Sequence, residues 1–239
     1  MEPQLAILTD SGKKNFTSLF SAKIELKIRD FSRQSAKMCY NVNKWLAYPQ
    51  LIKIGPPAGK TDRKRMDNAM KNIVLIGMPG TGKSVVGRAL ADRLGYTFVD
   101  VDDLIVEDAG KTLPQILRTE GLERFLEIEN RVGASLKREN TVIATGGSLV
   151  LSEEAMENLK ENGVVVWLET PLTQISDRMP EDLTDRGIAA PQGMTIREIY
   201  EHRVPMYARH ADLIVASRDG EGSTAQQVED IMRTVGIEL

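Results

Sequence analysis

A doubly wound α/β domain, with a parallel sheet buried on both faces, is the fold this sequence predicts from residue 72 onward. Three features predict it: short apolar runs that do not alternate, helical segments between them, and a glycine-rich turn directly after the first run. Ile73-Val74-Leu75-Ile76 is that first run and ends at a glycine. Ser84 to Leu94 reads as a helix, with Val85, Leu90 and Leu94 among its apolar positions. Tyr96 to Val101 is β-rich and gives way to a helical stretch through Ile105. Leu113 to Lys137 is helix-like with a break near Gly121. Thr141-Val142-Ile143-Ala144 and Val164 to Leu168 are two further buried-strand patterns. Between them runs a helix from Ser152 to Glu161, whose Ser152 and Glu154 suit an N-terminus. A helix over Thr195 to Arg209 has to kink or break at Pro205. Asp212 to Ala216 is the last strand and Ala225 to Val235 the last helix.

The first 65 residues do not join this pattern. They carry 13 Lys/Arg against 5 Asp/Glu, whereas the rest carries 18 against 29. Lys23 to Ile28 alternates like a strand, and Phe31 to Leu46 is loosely amphipathic. Gly55-Pro56-Pro57-Ala58-Gly59 then reads as a linker. Residues 1–65 are expected to be a basic extension, either poorly ordered or a mis-assigned start with the true one at Met66 or Met70. An organellar transit peptide is the third reading.

The acidic remainder disfavours a general nucleic-acid binder, which needs net positive surface. Aromatics make up only 5% of the 239 residues, so the core must rest on aliphatic side chains. Cys39 is the single cysteine, which excludes an intrachain disulfide or a cysteine-based metal cluster and fits a reducing compartment. With no apolar run of spanning length, no membrane partner is expected, and the location expected is cytoplasmic.

Gly77-Met78-Pro79-Gly80-Thr81-Gly82-Lys83-Ser84 matches the phosphate-loop pattern G-x-x-x-x-G-K-S without deviation, between an apolar strand and a helix. Backbone amides at a helix N-terminus concentrate positive potential, and glycines let the chain approach phosphates closely. Lys83 adds a mobile charge for the β- and γ-phosphates. Ser84 offers a hydroxyl oxygen to Mg²⁺, which prefers hard oxygen ligands. Gly80, Thr81, Gly82, Lys83, Ser84 and Val85 are therefore the expected nucleotide contacts. The motif implies ATP binding with Mg²⁺ but does not choose among kinase, NTPase and switch protein.

Asp100-Val101-Asp102 falls at the end of the second strand, where open α/β sheets gather their ligands. The segment carries two carboxylates separated by one residue. One is placed for the Mg²⁺ shell, the other to orient an acceptor hydroxyl and take its proton. Asp102 or Asp103 would equally serve as an ordinary N-cap. Thr145-Gly146-Gly147-Ser148 follows the third strand, and its paired glycines allow close backbone approach to a ligand. Arg186 lies in a polar stretch, Met179 to Gly193, long enough for a lid; an arginine there would neutralise charge on the transferring phosphoryl group. Arg209, near the end of the following helix, is a candidate clamp for an anionic substrate. His202 and His210 show no metal-ligand spacing.

With these pieces in order, residues 72 to about 235 resemble the shikimate kinase family. The resemblance rests on the phosphate loop, the Asp100/Asp102 pair and Phe125 ahead of Ile128-Glu129. Gly146-Gly147, Arg186 and the Arg203-x-Pro205-x-Tyr207-x-Arg209 segment complete it. It implies a five-stranded parallel sheet of order 2-3-1-4-5, a lid and an acceptor-binding subdomain. It also implies transfer from ATP to a ring hydroxyl of shikimate, and a monomer is the expected state. By the same resemblance Lys83, Asp102 and Arg186 are catalytic and Asp100 serves the Mg²⁺ shell with Ser84. Asp102, Gly146, Gly147 and Arg209 contact the substrate, Arg209 at its carboxylate, and Arg178 packs on adenine.

Two positions depart from the family. Leu126 stands where the family has a carboxylate-binding arginine directly after the phenylalanine, and Ser148 replaces a third glycine. Arg124 is two residues away, which on a helix turns it about 200° aside. Three alternatives to shikimate phosphorylation stay open, the first of them motivated by Leu126. These are a kinase for another small hydroxy acid such as gluconate, a nucleoside monophosphate kinase, and an ATP-binding module without turnover.

Overall fold

The structure, a computed structural model, describes residues 72–180, 182–218, 220 and 222–237. The basic extension, with its strand-like and amphipathic segments, lies outside the described residues.

Strand β1 (Asn72–Ile76) has all five residues buried. Its side chains alternate between two cores, as a strand's period of two requires. Ile73 and Leu75 pack with Val86, Leu90 and Ala91 of helix α1 (Lys83–Leu94) and with Val228, Ile231 and Val235 of helix α8 (Ser223–Val235). Val74 and Ile76 face the other way, into a larger cluster that includes Ile105, Phe125, Ile128, Met156 and Tyr207. Burying each of these large side chains contributes roughly 1.5–3 kcal/mol. A run apolar at every position is therefore what a strand covered on both faces needs.

Strands β2 (Thr97–Asp100), β3 (Thr141–Ala144), β4 (Val164–Glu169) and β5 (Leu213–Ala216) complete a parallel sheet of order β2-β3-β1-β4-β5. The register runs Val74 beside Ile143 and Val165, which brings the carboxyl ends of β1, β2 and β3 level at one edge. The larger core is roofed by helices α2 (Val101–Ala109), α3 (Leu113–Thr119), α4 (Gly121–Ser135), α5 (Glu153–Glu161) and α7 (Ile196–His210). No described helix is long and apolar enough to cross a membrane.

Three boundaries differ from expectation. Helix α2 begins at Val101, so Asp102 stands in a first helical turn rather than on a strand. Its N-cap is Asp100, whose Oδ1 accepts from the Asp102 amide at 3.1 Å; neither Asp102 nor Asp103 is the cap. A short helix α6 (Leu172–Asp177) follows β4, where no helix was expected. Finally, α7 runs through Pro205 without interruption. Proline removes a bond to the carbonyl four residues back. That carbonyl belongs to Glu201, which is exposed, while Ile199, Tyr200, Val204 and Tyr207 anchor the buried side. A Thr195/Glu198 capping box fixes the start of the helix.

Candidate active site

The phosphate loop leaves β1 beneath the end of β4. Gly77 has φ +144°, and a side chain there would meet the Leu168 carbonyl at 2.7 Å. Gly82, left-handed at φ 88°, starts α1 with no side chain capping it. The first amides of α1 therefore remain as donors for an anion. Lys83 folds back over the loop, its Nζ donating to the carbonyls of Gly77 and Met78 at 2.8 Å each and reaching Thr81 Oγ1 at 3.5 Å. Burial pulls its pKa down to about 8, against the opposing pull of Asp102 and Asp100. Thr81 is buried, whereas Val85 stands exposed in the first turn of α1 at the pocket mouth.

Ser84 Oγ donates to Asp100 Oδ2 at 2.6 Å. A hydroxyl and a carboxylate oxygen are thus paired beside the phosphate loop. Both are hard donors, and Mg²⁺ in nucleotide sites takes one or two protein oxygens with the rest from phosphate and water. The donor set fits that ion.

Asp102 and the Gly146-Gly147-Ser148 turn line the same pocket, with Glu129 buried against Gly146. A methyl on Gly146 would meet Glu129 Oε1 at 2.6 Å and Asp102 Oδ1 at 2.7 Å, so the two carboxyls face each other across this glycine. Like charges so close do not both ionise readily. Burial raises the Glu129 pKa to about 8, the Ser148 hydroxyl holding it down and Asp102 pushing it up. Burial also raises Asp102, to about 6, with Asp100 adding and Lys83 subtracting. At neutral pH Glu129 therefore holds the proton while Asp102 is ionised, available as a base.

The buried Glu129 makes stability depend on pH. Its folded pKa lies above the unfolded value of about 4.3. Stability is fully present below the unfolded value and is lost as pH rises toward 8, because the unfolded chain gives up its proton first. Thermal melts of the native chain and Glu129→Gln from pH 4.5 to 8 should show a downward slope that the glutamine flattens. Parallel slopes would mean that Glu129 ionises freely.

Gly147 packs on the donor loop: a side chain there would meet Pro79 Cδ at 2.6 Å. Its carbonyl accepts a 2.5 Å bond from the Tyr207 hydroxyl, and the Tyr207 ring stacks on Trp167 at 6.0 Å. Helix α7 thus ties down the Gly146-Gly147 turn. Phe125, Asp102, Lys83, Arg186, Ser148 and Arg203 all line the resulting pocket, whose volume is about 270 Å³.

The arginines divide. Arg186 reaches the pocket from the 179–193 stretch, with Nη1 donating to the Arg178 carbonyl at 3.1 Å. Arg178 itself donates to the Gly80 carbonyl at 2.8 Å, flanking the phosphate loop. Arg209 is not in the pocket: it is 69% exposed and pairs with Glu153 Oε1 at 2.9 Å, joining α7 to α5. Besides Arg186 the pocket holds Arg203, which is 3% exposed. Six residues along a helix separate Arg203 and Arg209 by about 120°, so they cannot share a face. Arg203 Nη2 bonds the Ala189 carbonyl, while its buried Nη1 has no hydrogen-bond partner among the described residues. Arg124 pairs with Glu127 and Glu120 on the outside of α4 and does not stand in for Leu126.

Sequence reasoning thus passed over Arg203 and Glu129 as site residues. Each carries a detectable signal. Ile199, Arg203 and Tyr207 recur every fourth residue, as do Phe125 and Glu129, which places both charges on otherwise apolar helix faces. Charges on a buried stripe require partners.

A phosphate loop packed against a pocket lined by a carboxylate and two arginines, one of them buried, is the arrangement of a P-loop kinase for a small metabolite. The shikimate kinase family model matches residues 79–235. Shikimate kinase of Persephonella marina is 38% identical over 160 residues, 66% of this chain and 94% of that protein. The Ruegeria pomeroyi enzyme is 40% identical over 164 residues, 68% and 83% respectively. Among solved structures, shikimate kinase from Acinetobacter baumannii in complex with shikimate superposes with a TM-score of 0.61 at 30% identity. It covers 72% of this chain and 96% of that one. The chain belongs to the shikimate kinase family.

Proposed function

We propose that this chain transfers the γ-phosphoryl group of ATP to a ring hydroxyl of shikimate, giving shikimate 3-phosphate. The observation that carries the reading is Arg203: a buried guanidinium whose Nη1 has no hydrogen-bond partner among the described residues, in one pocket with Asp102 and Lys83. An acceptor bearing both a carboxylate and a hydroxyl answers both groups. Family membership supports the same acceptor.

In this reading the α1 amides and Lys83 hold the phosphates, and Arg178 flanks the nucleotide. Asp102, ionised above about pH 6, orients the acceptor hydroxyl and takes its proton. The backbone of Gly146 and Gly147 lies under the acceptor, and Arg203, in place of the expected Arg209, grips its carboxylate. Arg186 balances charge on the phosphoryl group and helps exclude water. Mg²⁺, held through Ser84 and Asp100, supplies charge neutralisation at the phosphates when bound. A cytoplasmic monomer goes with this reading.

A coupled assay of ADP release with Mg·ATP tests it, comparing shikimate with quinate, gluconate and buffer. Saturable release with shikimate alone is expected. Release with another acid would make Leu126 the mark of a changed acceptor, and release with none would sink the reading. Arg203→Ala should raise the KM for shikimate by roughly thirtyfold or more, since a buried charge pair is broken on one side. An unchanged KM would free Arg203 of this role.

A further inference from the structure

Leu126 and Ser148, the two departures from the family, bear on one carboxyl. Residue 126 lies three positions before Glu129 on α4, the spacing at which helical side chains meet. A cation there would reach Glu129; the leucine supplies none and packs against the larger core. Ser148 Oγ instead donates to Glu129 Oε1 at 2.9 Å, with the two residues only 4% and 1% exposed.

This hydroxyl has an alternative use that it forgoes. Ser148 is the N-cap of the 3-10 turn Leu149–Leu151, a position where serine ordinarily bonds the following amides. It makes no such capping bond. Its φ of −97° also shows that the position tolerates a β-carbon, so a glycine is not required by the backbone. The turn is then tied on two sides: Gly147 to Tyr207 of α7, and Ser148 to Glu129 of α4. The same Glu129 oxygen lies against Gly146, at the pocket wall.

We propose that Ser148 is a positioning residue for the acceptor site. It ties the Gly146-Gly147 turn to Glu129 in a chain whose residue 126 brings no cation to that carboxyl. The proposal rests on the kinase reading above, because the turn it steadies lies under the acceptor. It is distinct from the choice of acceptor.

Steady-state kinetics on the full chain test it, with Ser148→Ala and the double variant Ser148→Ala/Leu126→Arg. Removing one buried hydrogen bond while leaving its acceptor buried should raise the KM for shikimate about tenfold, with the KM for ATP moving less than about twofold. The arginine at 126 should recover most of that loss. A double-mutant cycle of thermal melts on Ser148→Ala and Glu129→Gln accompanies the kinetics. The double variant should lose less than the two single losses together. An unchanged acceptor KM, an equal rise in both KM values, or strictly additive melting losses would overturn the proposal. If the native chain turns over another acid instead of shikimate, the acceptor reading fails alone and the same KM comparison is made with that acid. If no acid turns over, the cycle decides the tie.

Discussion

Alanine at Lys83 is expected to lower kcat by at least about a thousandfold while leaving the far-ultraviolet circular dichroism unchanged. In the structure the ammonium is folded against the carbonyls of Gly77 and Met78, so it is stored within hydrogen-bond reach of the loop it serves. Phosphate oxygens are stronger acceptors than those carbonyls and attract the charge as well. Burial has already lowered its pKa to about 8, so the ammonium form is held at a desolvation cost that bound phosphate would offset. Removing the side chain takes away the charge at the transferring group without opening the core. A variant within tenfold of native kcat would refute the assignment of the loop.

Asp102→Asn should reduce kcat by about 10²–10⁴, the span ordinarily lost with a general base. Nucleotide affinity, measured by titration calorimetry, should hold, because Asp102 stands in the first turn of α2 and is not part of the phosphate loop. The pH profile gives a second check. With the carboxyl raised to about 6, kcat in the native chain should fall as pH drops below that value and the base becomes protonated. The asparagine variant should lose this acid limb along with its rate. Equal losses in turnover and ATP affinity would instead make Asp102 a structural residue of the α2 turn.

The sheet was legible because its strands lack alternation, a local property of the sequence. Strand order was not local: 2-3-1-4-5 came through the family resemblance and agrees with the structure. The β2–α2 boundary misled because Val101 extends a β-branched run, whereas the Asp100 carboxylate caps the helix just ahead of it. Helix α6, six residues long, is too short for periodicity to register. Arg209 and Arg203 are both plausible clamps in a linear reading. Only the rotation of α7 tells that one meets Glu153 in solvent and the other enters the pocket. The Glu129–Ser148 bond joins residues nineteen apart in sequence, so no window of local pattern contains it.

The contact of Gly147 with Pro79 constrains how such a chain can be redesigned. Any side chain at 147 would push on Pro79 of the phosphate loop, so the pocket floor there cannot be reshaped without disturbing that loop. Substitutions aimed at acceptor choice are better placed in the walls, at positions such as 125, 188 and 203. A library aimed at a new acid should randomise those positions and keep the glycines fixed.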